Sequence, residues 1–364
     1  MQDFLEILES NKAYFNYPET LQTLLINSEI PIYFLEELEN IKTINICGDN
    51  DAEQKEIIDY SELNKFKNLE TLVIVDNKNI ETLDISSLKK LRTLVLLNNN
   101  SLENIKGLEN LKKLDTIIIV GNKIKEIDKS KVFIENISKS KIVRLDINMY
   151  QCLRKNDIIN KNKTNIQFAE KISVGQFYNL TLEMMEKLYT SAQEILDNII
   201  SVNNYEILKE IYKYIVKTVK YDYEELEKRN MYILEGNLIT AYQNEYKDIN
   251  SCYKAIIEKK AVCEGYANAL KFLASLRNIE VENIACFLNE NNKSFEFYNH
   301  TASRVKINSE WLYCDSQIEI NPEALKYFLL TETEFEKTHM LQNEKQKGNG
   351  EKNEKHTIKK IFNP

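Results

Sequence analysis

One spacing of apolar positions recurs through the first half of the chain: apolar-x-x-apolar-x-apolar-x-x-Asn. It reads Leu69, Leu72, Ile74, Asn77, then Leu91, Leu94, Leu96, Asn99, then Leu114, Ile117, Ile119, Asn122. The starts at 69, 91 and 114 lie 22 and 23 residues apart. Weaker flanking copies are read at Ile41, Ile44, Ile46 and at Ile142, Leu145, Ile147. The alternating centre of each copy predicts a short strand with every second side chain turned inward. One such unit cannot cover its own apolar face, so neighbours must stack. The second half of each unit (Ile80 and Leu83, Leu102 and Ile105, Ile124 and Ile127) returns apolar residues to the same core. Residues 1–37 lack the repeat and are expected to form a helical cap. Residues 151–175 are polar, lose the repeat and are expected to be a linker.

This pattern over 38–150 resembles the leucine-rich repeat, whose period is 20–29 residues. The resemblance implies a solenoid in which the Asn residues bond backbone in a column. If Leu72 and Ile74 point inward, their neighbours face out. That predicts two exposed apolar columns on the concave sheet, Val73–Val95–Ile118 and Val75–Leu97–Val120. A contiguous apolar strip marks a covered surface. Its occupant is either a partner protein or peptide, or the chain's own second half or a terminal helix.

Beyond the junction the period becomes helical. The stretches 181–200 and 204–219 carry apolar residues at three- and four-residue steps and predict two amphipathic helices. Cys263 stands just before GYANALKFLASL, a third helix. A thiol there feels the positive end of the helix dipole, which favours thiolate, and the free N–H groups of a first turn can receive an oxyanion. Gly265 leaves room for close approach of a chain. The stretch VENIACF predicts a strand, and 295–319 a hairpin turning at Asn308-Ser309. His300 and Asp315 lie at the outer ends of its strands and are expected to be cross-strand neighbours. A carboxylate there orients the imidazole and stabilises its charged form. Cys263, His300 and Asp315 thus make a nucleophile, base and orienter.

The stretch A-V-C-E-G-Y-A with His300 and Asp315 downstream resembles the transglutaminase-like superfamily and its papain-like Cys-His-Asp arrangement, over roughly 180–340. The segments EILKEIYKYIVKTVKYDYEEL and YFLLTETEFEKTH are similar to those that flank the site in bacterial members. The resemblance implies an α+β domain at 176–340 with Cys263 as nucleophile, His300 as general base and Asp315 as orienting carboxylate. The reaction class is acyl transfer or hydrolysis at protein or peptide amide bonds, with the repeats binding the target. Where bacterial members commonly read H-A-W-N and D-x-T-W-D, this chain has Ala302 and Ile318 in the tryptophan places. That favours an alternative, an inactive interaction module on the same two domains. His339 is read as structural, and Cys286 and Cys314 as core.

Composition narrows the partners. With Lys+Arg 48 against Asp+Glu 56, the net charge is −8, a poor match to a nucleic-acid backbone. Three histidines leave little for a His-rich metal site, and neither G-x-G-x-x-G nor G-x-x-x-x-G-K-[ST] occurs. Animal members of the superfamily use calcium, but no D-x-D-x-D-G loop appears here. No metal or organic cofactor is expected. No apolar run reaches the ~18 residues of a membrane span, and the acidic start lacks a signal peptide's basic region. Six scattered cysteines without a C-x-x-C pair read as reduced thiols of a cytoplasmic protein, or of a secreted one whose leader has been removed. The Lys/Glu/Asn-rich residues 341–364 are expected to be disordered.

Overall fold

The computed structural model describes residues 23–27, 41–47, 60–124, 137, 139–155, 159, 166–172, 176–234, 248–288 and 298–341. The fold is mixed α/β. Two compact units divide the chain, one drawing on 1–171 with 179–185, the other on 172–178 with 186–364.

The first unit is built on strands β1 (Thr23–Asn27), β2 (Thr43–Cys47), β3 (Thr71–Val75), β4 (Thr82–Asp84), β5 (Thr93–Leu97), β6 (Asn104–Lys106), β7 (Thr116–Val120), β8 (Ile142–Asp146) and β9 (Ile166–Ile172), with β10 (Gln176–Thr181) and a short helix α1 (Tyr150–Lys155) following. The main sheet runs β1-β2-β3-β5-β7-β8-β9-β10, and β4 pairs with β6 in a second, small sheet. Equivalent residues of successive repeats sit side by side in parallel register: Ile44, Leu72, Leu94, Ile117 in one row, Ile46, Ile74, Leu96, Ile119 in the next. All eight are 0% exposed. The asparagines form a ladder beside these rows. Asn99 Oδ1 accepts from Asn77 N at 3.0 Å, and Asn122 Oδ1 from Asn99 N at 3.2 Å. Asn99 Nδ2 and Asn122 Nδ2 donate to the carbonyls of Ile74 and Leu96, one strand back. Asn77 and Asn99 are buried, so these bonds supply partners to backbone groups that water cannot reach.

The structure corrects four expectations here. The last copy is displaced by two residues: Val143 pairs with Ile117 and Leu145 with Ile119, while Ile142 pairs with Thr116 and is 49% exposed. Ser140 takes the leucine place, buried, with its hydroxyl donating to Leu114 O at 3.0 Å. Ile142 is apolar enough to mimic the pattern, but the alternation that enters the core is Val143, Leu145 and Ile147. Second, β1 lies inside the supposed helical cap and pairs with β2 in the same register, Leu24 with Ile44 and Ile26 with Ile46. Third, β9 lies inside the supposed linker and extends the sheet, Ile166 pairing with Val143 and Phe168 with Leu145. Ile166, Phe168 and Ala169 are buried, so this polar-looking stretch contributes to the core. Fourth, the outward columns align as expected, Val73 with Val95 and Ile118, Val75 with Leu97 and Val120. Five of these residues are half-buried, but Val120 is 0% exposed. The protein itself therefore closes the column at that end.

The second unit holds most of helix α2 (Leu182–Asp197) and all of α3 (Asn204–Thr218), α4 (Tyr223–Leu234), α5 (Cys263–Ser275) and α6 (Glu332–Phe335). Strands β11 (Lys220–Tyr221) and β12 (Lys260–Ala261) pair in parallel. Strands β13 (Val281–Leu288), β14 (Tyr298–Ile307), β15 (Glu310–Cys314) and β16 (His339–Leu341) form an antiparallel sheet in the order β15-β14-β13-β16. Helix α3 starts where Asn203 Oδ1 accepts from Tyr205 N and Glu206 N, and it buries Ile207, Leu208, Ile211, Tyr212 and Ile215 on one stripe. Helix α5 is buried on nearly every side because it packs against both the sheet and α3. The β14–β15 hairpin turns at Asn308-Ser309, with φ of 49° and 71°. Two positive φ values suit a two-residue turn whose twist matches the strands. Among the described residues no helix is long and apolar enough to cross a membrane. The rest of the expected cap and the expected disordered tail from 342 onward lie outside the described residues.

Candidate active site

Cys263 is set in place by the chain just before it. The β11–β12 pair, the Asp222 N–H on Ala261 O (3.0 Å) and the Val262 N–H on Ile249 O (3.0 Å) hold that approach on both sides. Val262 is extended, and no side chain caps the helix there. Cys263 therefore stands at the first turn of α5, only partly buried. A cluster of buried charge lies under the same loop: Lys254 Nζ reaches Asp222 Oδ2 at 3.5 Å and Asp248 Oδ1 at 3.2 Å. Burial pushes the Asp248 carboxyl up to about 6, against the pull of Lys254.

The chain that approaches Gly265 is the protein's own. A Cβ at 265 would lie 2.6 Å from Ala261 Cβ and 2.8 Å from Ile249 O. Gly265→Ala is expected to destabilise the domain by about 1–3 kcal/mol, the usual cost of overpacking. Because the obstacle includes a backbone carbonyl, relief must shift the strand that leads into Cys263. Chemical denaturation checks the stability, and a wild-type alkylation rate at Cys263 in the folded variant would contradict the coupling.

His300 lies on β14 opposite Cys286 of β13. Its Nε2 stands 2.6 Å from Asp315 Oδ2. The two residues are cross-strand neighbours but not directly opposite. The register places Ser303 against Cys314, so Asp315 falls level with Ala302, on the same face as His300 and diagonal to it. Diagonal pairs on one face are still within reach of long side chains. Asp315 is held on every polar atom. Its N–H donates to Tyr327 O (2.9 Å), and its carbonyl accepts from Tyr212 Oη (2.9 Å). Oδ1 accepts from the Gln317 and Ile318 N–H groups at 2.9 and 3.4 Å. Oδ2 receives a second imidazole, His339 Nε2, at 2.9 Å.

Asp315 is 2% exposed. Burial alone would raise its pKa, but hydrogen bonds from His300 and His339 reverse this and hold it well below the usual carboxylate range. Burial would likewise lower His300; hydrogen bonds to Asp315 and to Cys263 outweigh it and raise the imidazole to about 10. Since Nε2 is engaged by Asp315, the other ring nitrogen, Nδ1, is left for Cys263. Burial, then the charge of Cys263, pushes the Tyr221 phenol up to about 12.

The structure thus brings His300 and Asp315 together and sets Cys263 at the start of α5. Sequence reasoning missed the engagement of His339, which was read as merely structural. Cys286 and Cys314 are buried thiols, each pushed up by burial. Ala302 is buried with Cys286, Tyr313 and Phe335, so the tryptophan place is a core position here. Among the described residues one group has the composition of a metal site: Cys286, His300 and His339 bring one ligand atom each within 4.8 Å. Both Nε2 atoms are turned to a carboxylate, and an ion placed between them would have to displace those bonds.

Among solved structures, "Crystal structure of a TGase" is similar to this chain with a TM-score of 0.29 at 14% identity, covering 48% of this chain and 39% of that one. A candidate cysteine protease from Cytophaga hutchinsonii is similar with a TM-score of 0.25 at 18% identity, covering 36% of this chain and 37% of that one. The chain therefore spans about two fifths of the length of each. No curated protein matches. Residues 190–343 match the family model described as a transglutaminase-like domain.

Proposed function

We propose that the second unit is a thiol-dependent acyltransferase or hydrolase acting on protein or peptide amides. Cys263 is the nucleophile, His300 the general base and acid, and Asp315 the orienting carboxylate. The observation that carries this reading is one imidazole flanked by a helix-terminal thiol and a buried carboxylate. The sulfur attacks the carbonyl carbon, and the C–N bond breaks as His300 gives its proton to the leaving amine. The product is a thioester on Cys263. An amine or a water then attacks the thioester, the C–S bond breaks to return the Cys263 sulfur as thiolate, and His300 takes the proton of the attacking group. The uncapped first turn of α5 is the place where N–H groups would receive the oxyanion.

In this reading the first unit is a leucine-rich-repeat solenoid over 38–150 that selects the target protein through the column of Val73, Val75, Val95, Leu97 and Ile118. Its in-register parallel strands and asparagine ladder support that assignment.

A second reading, an inactive interaction module, is favoured by Ala302, a small buried core residue in the tryptophan place. The two separate in one experiment. A lysate is incubated with a labelled primary amine and either the wild-type chain or Cys263→Ala. Labelling lost in the variant supports acyl transfer to amines. New N-termini lost in the variant support hydrolysis. Neither effect, with equal thiol alkylation at Cys263 and at a free thiol, leaves the module.

A further inference from the structure

We propose that His339 is a positioning residue for the Cys263–His300–Asp315 set, clamping the carboxylate through a second N–H on the oxygen that receives His300. This rests on the reaction proposed above.

The argument begins with hydrogen-bond chemistry. An ionised carboxylate only accepts, so both Nε2 atoms on Oδ2 must carry hydrogens. That fixes the tautomer of each ring. For His300 it leaves Nδ1 as the atom that exchanges a proton with sulfur. The distances, 2.6 Å to His300 and 2.9 Å to His339, place both donors within bonding range of one oxygen. With Oδ1 anchored by two backbone N–H groups, neither oxygen can swing without breaking bonds.

His339 is equipped for this role. It is 1% exposed, and its ring stacks on Phe335 at 3.8 Å and 9°. Nδ1 faces Thr338 Oγ1 at 2.9 Å and Phe335 O at 3.3 Å. Strand β16 fixes its backbone, pairing His339 with Leu288 of β13. A ring present only to fill space would need no polar partners, whereas this one has a partner on each nitrogen. Among the described residues the other titratable groups around it are the Cys286 thiol on β13, His300 on β14, Asp315 after β15 and the Tyr327 phenol, whose ring meets His339 edge-on.

The test uses the full chain and reads both proton and rate. Only three histidines exist, so labelled imidazoles can be followed individually by NMR. In His339→Leu the carboxylate loses its clamp and the bond to His300 becomes intermittent. The expected results are a His300 midpoint that falls toward the ordinary histidine value, and a kcat about 10- to 100-fold lower with KM unchanged, the range seen when an orienting partner is removed. His339→Gln keeps an N–H donor and is expected to restore both. Thr338→Val, which removes the hydroxyl behind Nδ1 but leaves the ring, is expected to act in the same direction and serves if the leucine variant does not fold. A folded His339→Leu or Thr338→Val chain with a wild-type His300 midpoint and a wild-type kcat overturns the proposal. If no turnover is found in the wild type, the reaction reading has failed. The NMR titration still reports independently on whether His339 clamps the carboxylate.

Discussion

Asp315→Asn is expected to lower turnover about 10⁴-fold, the loss seen when the orienting carboxylate of a serine-type triad becomes an amide. The cause is a count of donors and acceptors. The native side chain accepts from four groups, two imidazoles on Oδ2 and two backbone N–H groups on Oδ1. An amide offers one accepting oxygen and an NH2 that must face donors. Either the backbone pair or the imidazole pair is left opposed. If the imidazoles are opposed, His300 turns its lone pair to the amide and presents the wrong tautomer to Cys263. Removing one partner of a buried pair also costs about 3–5 kcal/mol of stability. Denaturant unfolding and kcat/KM measured on the same preparation separate the two effects. A folded Asp315→Asn chain with wild-type turnover would remove Asp315 from the mechanism.

The same ion pair is expected to give stability a distinctive dependence on pH. The folded His300 pKa is raised, to about 10. Its contribution is therefore complete below the unfolded value of about 6.5 and is lost as pH climbs through about 10. The folded Asp315 pKa is depressed. Its contribution is present above the unfolded value of about 3.9 and is lost as pH falls through the lower folded one. These are two views of one pair and count once. A charge-assisted bond is worth roughly 1.5–3 kcal/mol, and for a domain of this size 1 kcal/mol moves the melting temperature by roughly 2–4 °C. The wild-type Tm is thus expected to fall by about 3–12 °C relative to His300→Gln between pH 6.5 and 10. Parallel Tm profiles for the two chains over that window would show that the pair contributes nothing.

Much of this was legible in the residues, and the failures have physical causes. The rows headed by Leu72 and Ile74 could be read because burial in a parallel stack repeats the same residue type at the same spacing. Strand β1 was missed because Leu24 and Ile26 come 20 residues before Ile44 and Ile46 and are not followed by an asparagine three residues on. The displaced last copy shows that an exposed isoleucine, Ile142, can imitate a core one. Only pairing settles which alternate set turns inward. Cys263 and His300 were findable from a helix start and a strand. The diagonal approach of Asp315 follows from the turn at Asn308-Ser309, which sets Ile307 against Glu310 and so Asp315 level with Ala302. His339 carried no local signal beyond a capping box: Thr331 and Glu334 bond reciprocally and start α6, which ends at Phe335, four residues ahead of the ring. Its partner is 24 residues back in the chain, and nothing in the intervening sequence announces the encounter.

The placement of β16 also sets an order of assembly. The thiol is made first, the base 37 residues later, the carboxylate 15 after that, and the second imidazole 24 further on. Since His339 arrives on a strand that closes the sheet beside β13, a nascent chain that stops short of it carries a sulfur and a base around an incompletely anchored acid. During synthesis, the sulfur thus emerges well before the parts that discipline it, and among the described residues the last strand in the chain is the one that completes the set.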